Sequence, residues 1–519
     1  MKRDSLAASA FDGIFSRSRP QLIAFLLSAL DSARSGIKCL DTHNAIWQEE
    51  IDPVATLADK VVVETLLFVM LARRIEALPD AVHASLDDLC GACNAWVRNP
   101  KNAMLLTRHP HTAVTLGIGH VALTQSGYID NDFDSLVRRA FSSGRIHAIE
   151  RLPYRAMEVL WLKSQVFQQP STGLPELLPA SLLVAPAHPV YMTEADCYAL
   201  THALMYLTDF GRNGLPPSVS PIRLRRLLDA ALAWNILGEN LDLLGELLMA
   251  HVFIGGLSSP YARFAWHMLA ATWTQFGFLP CPSLDPKQYQ ALSGDEALAY
   301  AFKHTYHTTY VGGILCALLL DPPRADALSG DSPTDRWDFK PLADKLDEAI
   351  AGAQRFLAAQ GESAWPAGDE PAAEPTSSTR DALALVALRM TECRTLDKAH
   401  SRQWTKVLAD APIGHSELAL ILSDGLLIHA AKEYELGVLS RVLADRTRGD
   451  LPVSATFLEA AEFLADQQLP NGAIGAHFAA GEQNAAALSV ALTKSMALAL
   501  VSVSGFLRRQ AAYKTHDTA

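Results

Sequence analysis

From about Gln21 to about Gln510, apolar residues recur at helical spacing segment after segment, and strict apolar/polar alternation is almost absent. That pattern excludes a sheet protein and predicts an all-α body. Candidate helices include roughly 54–77, 112–125, 194–208, 238–254, 260–276, 305–319, 399–409 and 484–508, with a first one starting near Gln21, after Pro20. No strand is needed anywhere. The composition fits helices that face other helices on more than one side, since 49% of residues are hydrophobic and only 19% charged. Two stretches, 321–337 and 366–379, carry prolines with serine or threonine and read as surface loops.

The formal net charge of -12 argues against nucleic acid as a partner, and the one basic cluster, Arg223, Arg225 and Arg226, is short. The start Met1-Lys2-Arg3-Asp4 and the apolar run Leu22–Leu30 show no recognisable cleavage site, so a cytoplasmic protein is expected. The most apolar stretch, Ala485–Leu507, is interrupted by Lys494 and several hydroxyl residues and reads as a buried helix, not a membrane span. Seven cysteines form no paired framework and are expected to be reduced. Cys90 and Cys93 make a lone C-x-x-C; zinc would need two further ligands there, and on a helix the same spacing is ordinary packing.

The densest mixture of titratable and aromatic residues is Glu194–Gly211, E-A-D-C-Y-A-L-T-H-A-L-M-Y-L-T-D-F-G. At about 100° per residue Tyr198, His202, Met205, Tyr206 and Asp209 share one face, and Leu200, Ala203, Leu204 and Leu207 the other. The first face is too polar for a core and too aromatic for a wet surface, so it reads as a cavity lining; the bland reading is a buried His202 bonded to Asp209 or a carbonyl. Several helices end alike, at Phe210-Gly211, Phe276-Gly277-Phe278-Leu279-Pro280 and Leu469-Pro470-Asn471-Gly472, with a fainter copy at Phe356–Pro366. Recurrent stops of this kind mark either good helix caps or helical hairpins stacked around a ring.

The last stop, F-L-A-D-Q-Q-L-P-N-G-A-I-G at 463–475, resembles the helix-then-loop repeat of terpene cyclases and protein prenyltransferase β subunits. The run Tyr306-His307-Thr308-Thr309-Tyr310-Val311-Gly312-Gly313-Ile314 is similar to the prenyltransferase segment whose histidine binds zinc, and Asp196-Cys197-Tyr198 to the segment giving that zinc a carboxylate and a thiolate. The resemblance implies an α/α toroid in which inner and outer helices alternate through short Gly/Pro loops. It implies zinc on Cys197, His307 and either Asp196 or Glu194, because Ala195 stands where the family has its carboxylate. Asp196 beside Cys197 also looks like the acid of triterpene cyclases. Tyr198, Tyr206, Tyr306, Tyr310, Trp266 and Trp273 would line an aromatic hollow.

Without metal, His202, Asp209, His304 and His307 would form an acid–base site, with Asp196 as the proton source. Asp242 and Glu246, four apart, read as a solvated or capping pair near Glu239-Asn240. The expected organisation is an N-terminal helical part at 1–190, a site-bearing portion at 191–480 and a C-terminal helix at 481–519, or one continuous domain. The expected function is a toroid enzyme acting on a small apolar molecule or a peptide-borne substrate by zinc-assisted thiol attack. The alternatives are an acid-initiated cyclase and a non-catalytic peptide-binding toroid.

Overall fold

The computed structural model describes residues 4–40, 45–52, 55–255, 258–321, 338–362, 379–396, 413–449, 451–475 and 485–516. The loops expected at 321–337 and 366–379, apart from their end residues 321 and 379, and the helix expected at 399–409 lie outside these residues. The described chain is all-α apart from a small hairpin of β1 (Glu50–Asp52) and β2 (Ala55–Thr56).

In chain order the helices are α1 (Asp4–Leu40), α2 (Leu57–Ala72), α3 (Asp80–Val97), α4 (Pro100–Arg108), α5 (Ala113–Gln125), α6 (Asn131–Ser142), α7 (Pro153–Phe167) and α8 (Leu174–Leu177). Then come α9 (Glu194–Leu207), α10 (Pro221–Leu237), α11 (Leu241–Phe253), α12 (Pro260–Phe276), α13 (Pro286–Ala291), α14 (Gly294–Lys303) and α15 (Tyr306–Leu320). The C-terminal set is α16 (Lys340–Ala359), α17 (Thr379–Glu392), α18 (His415–Lys432), α19 (Leu436–Arg446), α20 (Ala455–Asp466) and α21 (Ala485–His516).

Local sequence sets most starts. Thr56 with Asp59 and Thr193 with Asp196 form capping boxes on α2 and α9, and Asn99, Asp130, Ser220, Asn240, Ser259 and Ser454 cap α4, α6, α10, α11, α12 and α20. Pro20, expected to precede a helix, lies inside α1 instead. Beyond it Leu22, Leu26, Ala29, Leu30 and Ala33 are buried, and α1 packs against α15 and α3.

Helix contacts close on themselves. α2 meets α5, α5 meets α7, α7 meets α9, α9 meets α11, α11 meets α15, and α15 returns to α2. α1, α3, α6, α10 and α12 each pack on one or more of these six. Two approaches are so close that only glycine fits: a Cβ at Gly245 would sit 2.6 Å from Val311, and one at Gly313 2.7 Å from Phe68. The core of this part runs from Leu22 to Leu320 without a break at residue 190 and takes in Leu418–Leu422 of α18. A second core is built from α16 and α18–α21. Within it Leu488–Ala512 of α21 is long and apolar enough to cross a membrane, yet half of it is buried, and α21 packs on α16 and α19.

A buried ion pair ties the two parts together. Arg446 donates to Asp424 Oδ1 at 2.8 Å, Ser454 donates to the same oxygen at 2.8 Å, and Tyr261 of α12 donates to Oδ2 at 2.6 Å. Both charged side chains are almost wholly enclosed, so losing one strands the other. Asp424→Ala should lower unfolding stability by about 3–5 kcal/mol in a denaturant titration. Arg508→Ala, which breaks an exposed pair with Asp344 and Asp347, should leave it almost unchanged, because solvent screens an exposed pair.

Candidate metal centre

α11 reads L-D-L-L-G-E-L-L-M-A-H-V-F, and every residue in it is buried. Asp242 and Glu246 are one turn apart on it and are 5% and 2% exposed, so the solvated role expected for them is overturned. On a helix apolar on all sides and enclosed by other helices, carboxylates must be satisfied largely from neighbouring helices.

Those partners come from the closed circuit. Tyr198 of α9 donates its hydroxyl to Asp242 Oδ2 at 2.7 Å, and Thr308 of α15 donates to Oδ1 at 3.1 Å. Thr201 donates to Glu246 Oε2 at 2.5 Å, and His202 Nδ1 lies 3.3 Å from the same oxygen. His307 Nε2 stands 3.7 Å from Asp242 Oδ1, while its Nδ1–H donates to Glu64 Oε2 of α2 at 3.0 Å. One ligating atom from each of Asp242, Glu246 and His307 lies within 4.8 Å of the others, a grouping that fits a metal ion.

Burial pushes the Asp242 carboxyl up. Burial also works to raise Glu246, but His202 beside it holds it below the usual range. In His202 and His307 burial disfavours the imidazolium and the carboxylates outweigh it, so both are raised, His307 to about 10 through Glu64 and Asp242. Against the same burial, His307 and Lys60 bring Glu64 down to about 2. The His307 side chain keeps 36% of its surface open, whereas Asp242 and Glu246 beside it are almost wholly enclosed.

His202 Nδ1 is also 2.9 Å from the carbonyl of Tyr198. A carbonyl only accepts, so this nitrogen carries the hydrogen and the neutral ring keeps its lone pair on Nε2. The His202 ring is met edge-on by Tyr154, Tyr198 and Tyr206. Tyr206 donates to Glu158 of α7 at 3.1 Å, and Arg155 holds the other oxygen of that carboxylate at 3.0 Å. Tyr306 is close to Glu64, and Tyr310 accepts from Thr65 at 3.0 Å.

Four expected site residues lie elsewhere. Asp196 accepts from the backbone N–H and the hydroxyl of Thr193, both at 2.8 Å, so it caps α9 and is neither metal ligand nor proton source in the hollow. Cys197, one residue further round the helix, is buried toward Asn235 and Lys432 with its thiol pushed up to about 12 by burial; the set Asp196, Cys197 and His307 does not assemble. Asp209 lies beyond the end of α9 in a left-handed conformation, φ 47°, so the helical phase that placed it beside His202 no longer applies. It accepts from Arg74 at 3.0 Å and Trp161 at 2.8 Å, next to Phe210. His304 is cut off from the His307 face by the break between α14 and α15 and bonds Ser283 at 2.9 Å. Trp273 stacks on Phe25 of α1 at 4.8 Å, so it packs core. Cys90 and Cys93 are both fully buried on α3.

Glu64, Glu158, Thr201 and Thr308 were not singled out from the sequence. The signal for Glu64 and for the α11 pair was present: a carboxylate inside V-V-V-E-T-L-L-F-V-M or L-D-L-L-G-E-L-L cannot be on a wet face.

Fold and site thus define a helical protein with a carboxylate–histidine centre enclosed by its helices. Residues 26–317 match the family described as Domain of unknown function (DUF6895), and the chain belongs to that family. The match runs from α1 into α15 and includes every residue of the centre. No curated protein and no solved structure matches the chain.

The Glu64–His307 pair makes stability depend on pH at both ends. His307 is raised on folding, so its contribution is whole below about 6.5 and is lost as pH climbs toward about 10. Glu64 is lowered, so its contribution is whole above about 4.3 and is lost as pH falls toward about 2. In chelator-treated protein, Tm should therefore fall more between pH 7 and 10 for the native sequence than for His307→Asn; parallel curves would refute the pairing. Asp209→Ala should cost about 3–5 kcal/mol in denaturant unfolding, because it strands the largely enclosed Arg74 guanidinium.

Proposed function

We propose that this protein is an enzyme of the α/α toroid type whose hollow holds a divalent cation on Asp242, Glu246 and His307. The observation that carries the proposal is the convergence of their ligating atoms within 4.8 Å. The closed circuit of six helices supports the toroid, with α2, α5, α7, α9, α11 and α15 as the inner ring and α1, α3, α6, α10 and α12 outside it. It extends the likeness to terpene cyclases and protein prenyltransferase β subunits.

Two carboxylate oxygens and one imidazole nitrogen leave coordination positions open and suit zinc or a similar borderline ion. A cation there would lower the pKa of a bound water, hydroxyl or thiol and make it a nucleophile near neutral pH. His202, whose Nδ1 side lies against Glu246, carries its lone pair on Nε2 and is the base of the site, and Tyr198, Tyr206 and Tyr306 supply aromatic and hydroxyl lining. The substrate is a small molecule or a peptide-borne group with an apolar portion, activated for transfer. A second reading is kept by the raised Asp242 carboxyl: a metal-free site in which Asp242, in place of Asp196, protonates the substrate.

Zinc uptake decides between them. Equilibrium dialysis with elemental analysis should find one zinc per chain, and Asp242→Asn or Glu246→Gln should remove it. At zinc a hundredfold above its Kd the native protein should gain about 2.7 kcal/mol of stability, and the two variants none. A wild type that takes up no zinc, or variants that keep it, would defeat the cation reading. Turnover lost in Asp242→Asn without any metal in the native protein would favour the acid reading, and a protein indifferent to all these changes would be a binding toroid.

A further inference from the structure

We propose that Glu64 is the positioning residue of the centre, an α2 carboxylate that fixes the tautomer and orientation of His307 so that Nε2 is presented to the cation shared with Asp242 and Glu246. The inference rests on the cation reading above and adds to it a residue that cannot itself be one of the three ligands.

Glu64 Oε2 is 3.0 Å from His307 Nδ1, whereas His307 Nε2 is the nitrogen facing Asp242, at 3.7 Å. An ionised carboxylate only accepts, so Nδ1 carries a hydrogen and the lone pair of a neutral ring falls on Nε2, on the side of the α11 pair. A metal-binding histidine commonly gives its second N–H to a carboxylate, which sets the ring plane and makes the ligating nitrogen more basic. The other neighbours of Glu64 lie apart from its bond to His307. Lys60, one turn earlier on α2, is 3.7 Å from Oε1, and Tyr306 of α15 is also close to the carboxylate. Glu64 stands alone in the run Val61-Val62-Val63-Glu64-Thr65-Leu66-Leu67-Phe68, with His307 as its partner across the helix interface. Its position gives α2 a part in a centre whose ligands are on α11 and α15.

The test is a zinc titration against a competing chelator for the native protein, Glu64→Gln, Glu64→Ala and Lys60→Met, with nitrogen-15 spectra of the His307 ring in the zinc-loaded state. Glu64→Ala should weaken zinc binding about 10–100-fold, with the His307 ring no longer held to metal on Nε2 alone. Glu64→Gln keeps an acceptor for the Nδ1–H and should lose less, with the native tautomer retained. Lys60→Met leaves the Glu64–His307 bond intact and should bind zinc like the native protein. Unfolding curves in chelator separate these losses from misfolding, and should Glu64→Ala fail to fold, the ordering of native, Lys60→Met and Glu64→Gln decides. Native affinity and tautomer in Glu64→Ala, or affinity in Glu64→Gln equal to the native value, would overturn the positioning role while leaving the cation reading in place. A native protein that takes up no zinc would remove both.

Discussion

Two carboxylates one turn apart on a helix with no wet face are the constraint on which the rest of the structure depends. Left unpaired in a dry interior, Asp242 and Glu246 would make the fold untenable, because the effective penalty for burying a single ion is still several kcal/mol. No one neighbour relieves both. Tyr198, Thr201 and His202 come from α9, Thr308 and His307 from α15, and Glu64 reaches His307 from α2. The carboxylates are therefore satisfied only when α9, α11 and α15 are together, and α2 completes the set through His307.

Burial alone does not distinguish this cluster from the other enclosed charges. Asp424 is as deep, but Arg446, Ser454 and Tyr261 occupy its oxygens and the pair is sealed between α12, α18 and α19. Asp209 is likewise held, through Oδ1, by Arg74 and Trp161 and backed by Phe210. Both tie elements together. The Asp242–Glu246–His307 group differs because its histidine retains accessible surface beside groups already held in place by hydroxyls and a second carboxylate. Preorganised groups of this kind, with room beside them, are what binding and catalysis need.

What could be read from the sequence follows from how local each feature is. The helical period is local, and it led directly to an all-α chain. The capping box at Thr193 is local too, and it fixes the phase of α9, so Tyr198, His202 and Tyr206 fall on one face as their spacing requires. Asp209 was misplaced because a helical wheel continues past the helix end, whereas the chain there turns left-handed. Asp196 and Cys197 carried a family-like motif, but N-terminal capping absorbed the carboxylate and the helix turned the thiol away. The α11 pair was misread by weighing the polar neighbours Glu239 and Asn240 above the apolar residues around it. Glu64 is the hardest case: its apolar neighbours mark it as enclosed, but its partner is 243 residues away and nothing local names that partner.

The helices around the site share a direction to which its charges conform. Glu64, Tyr198, Asp242, Glu246 and His307 all belong to the first half of their helices, while Arg74, Asp209 and Phe253 stand at or just beyond the ends of α2, α9 and α11. These helices therefore run in the same sense, as they must if each is returned by another helix, as α10 returns α9 to α11. Aligned helices gather partial positive charge at their N-terminal ends and partial negative charge at the other. The acidic centre occupies the first, where that field offsets part of the repulsion between Asp242 and Glu246. Arg74 occupies the second, donating to the carbonyl of Asp209 at 2.9 Å. Aromatic rings pack around that guanidinium, and the half-open histidine stands at the opposite end of the same helices.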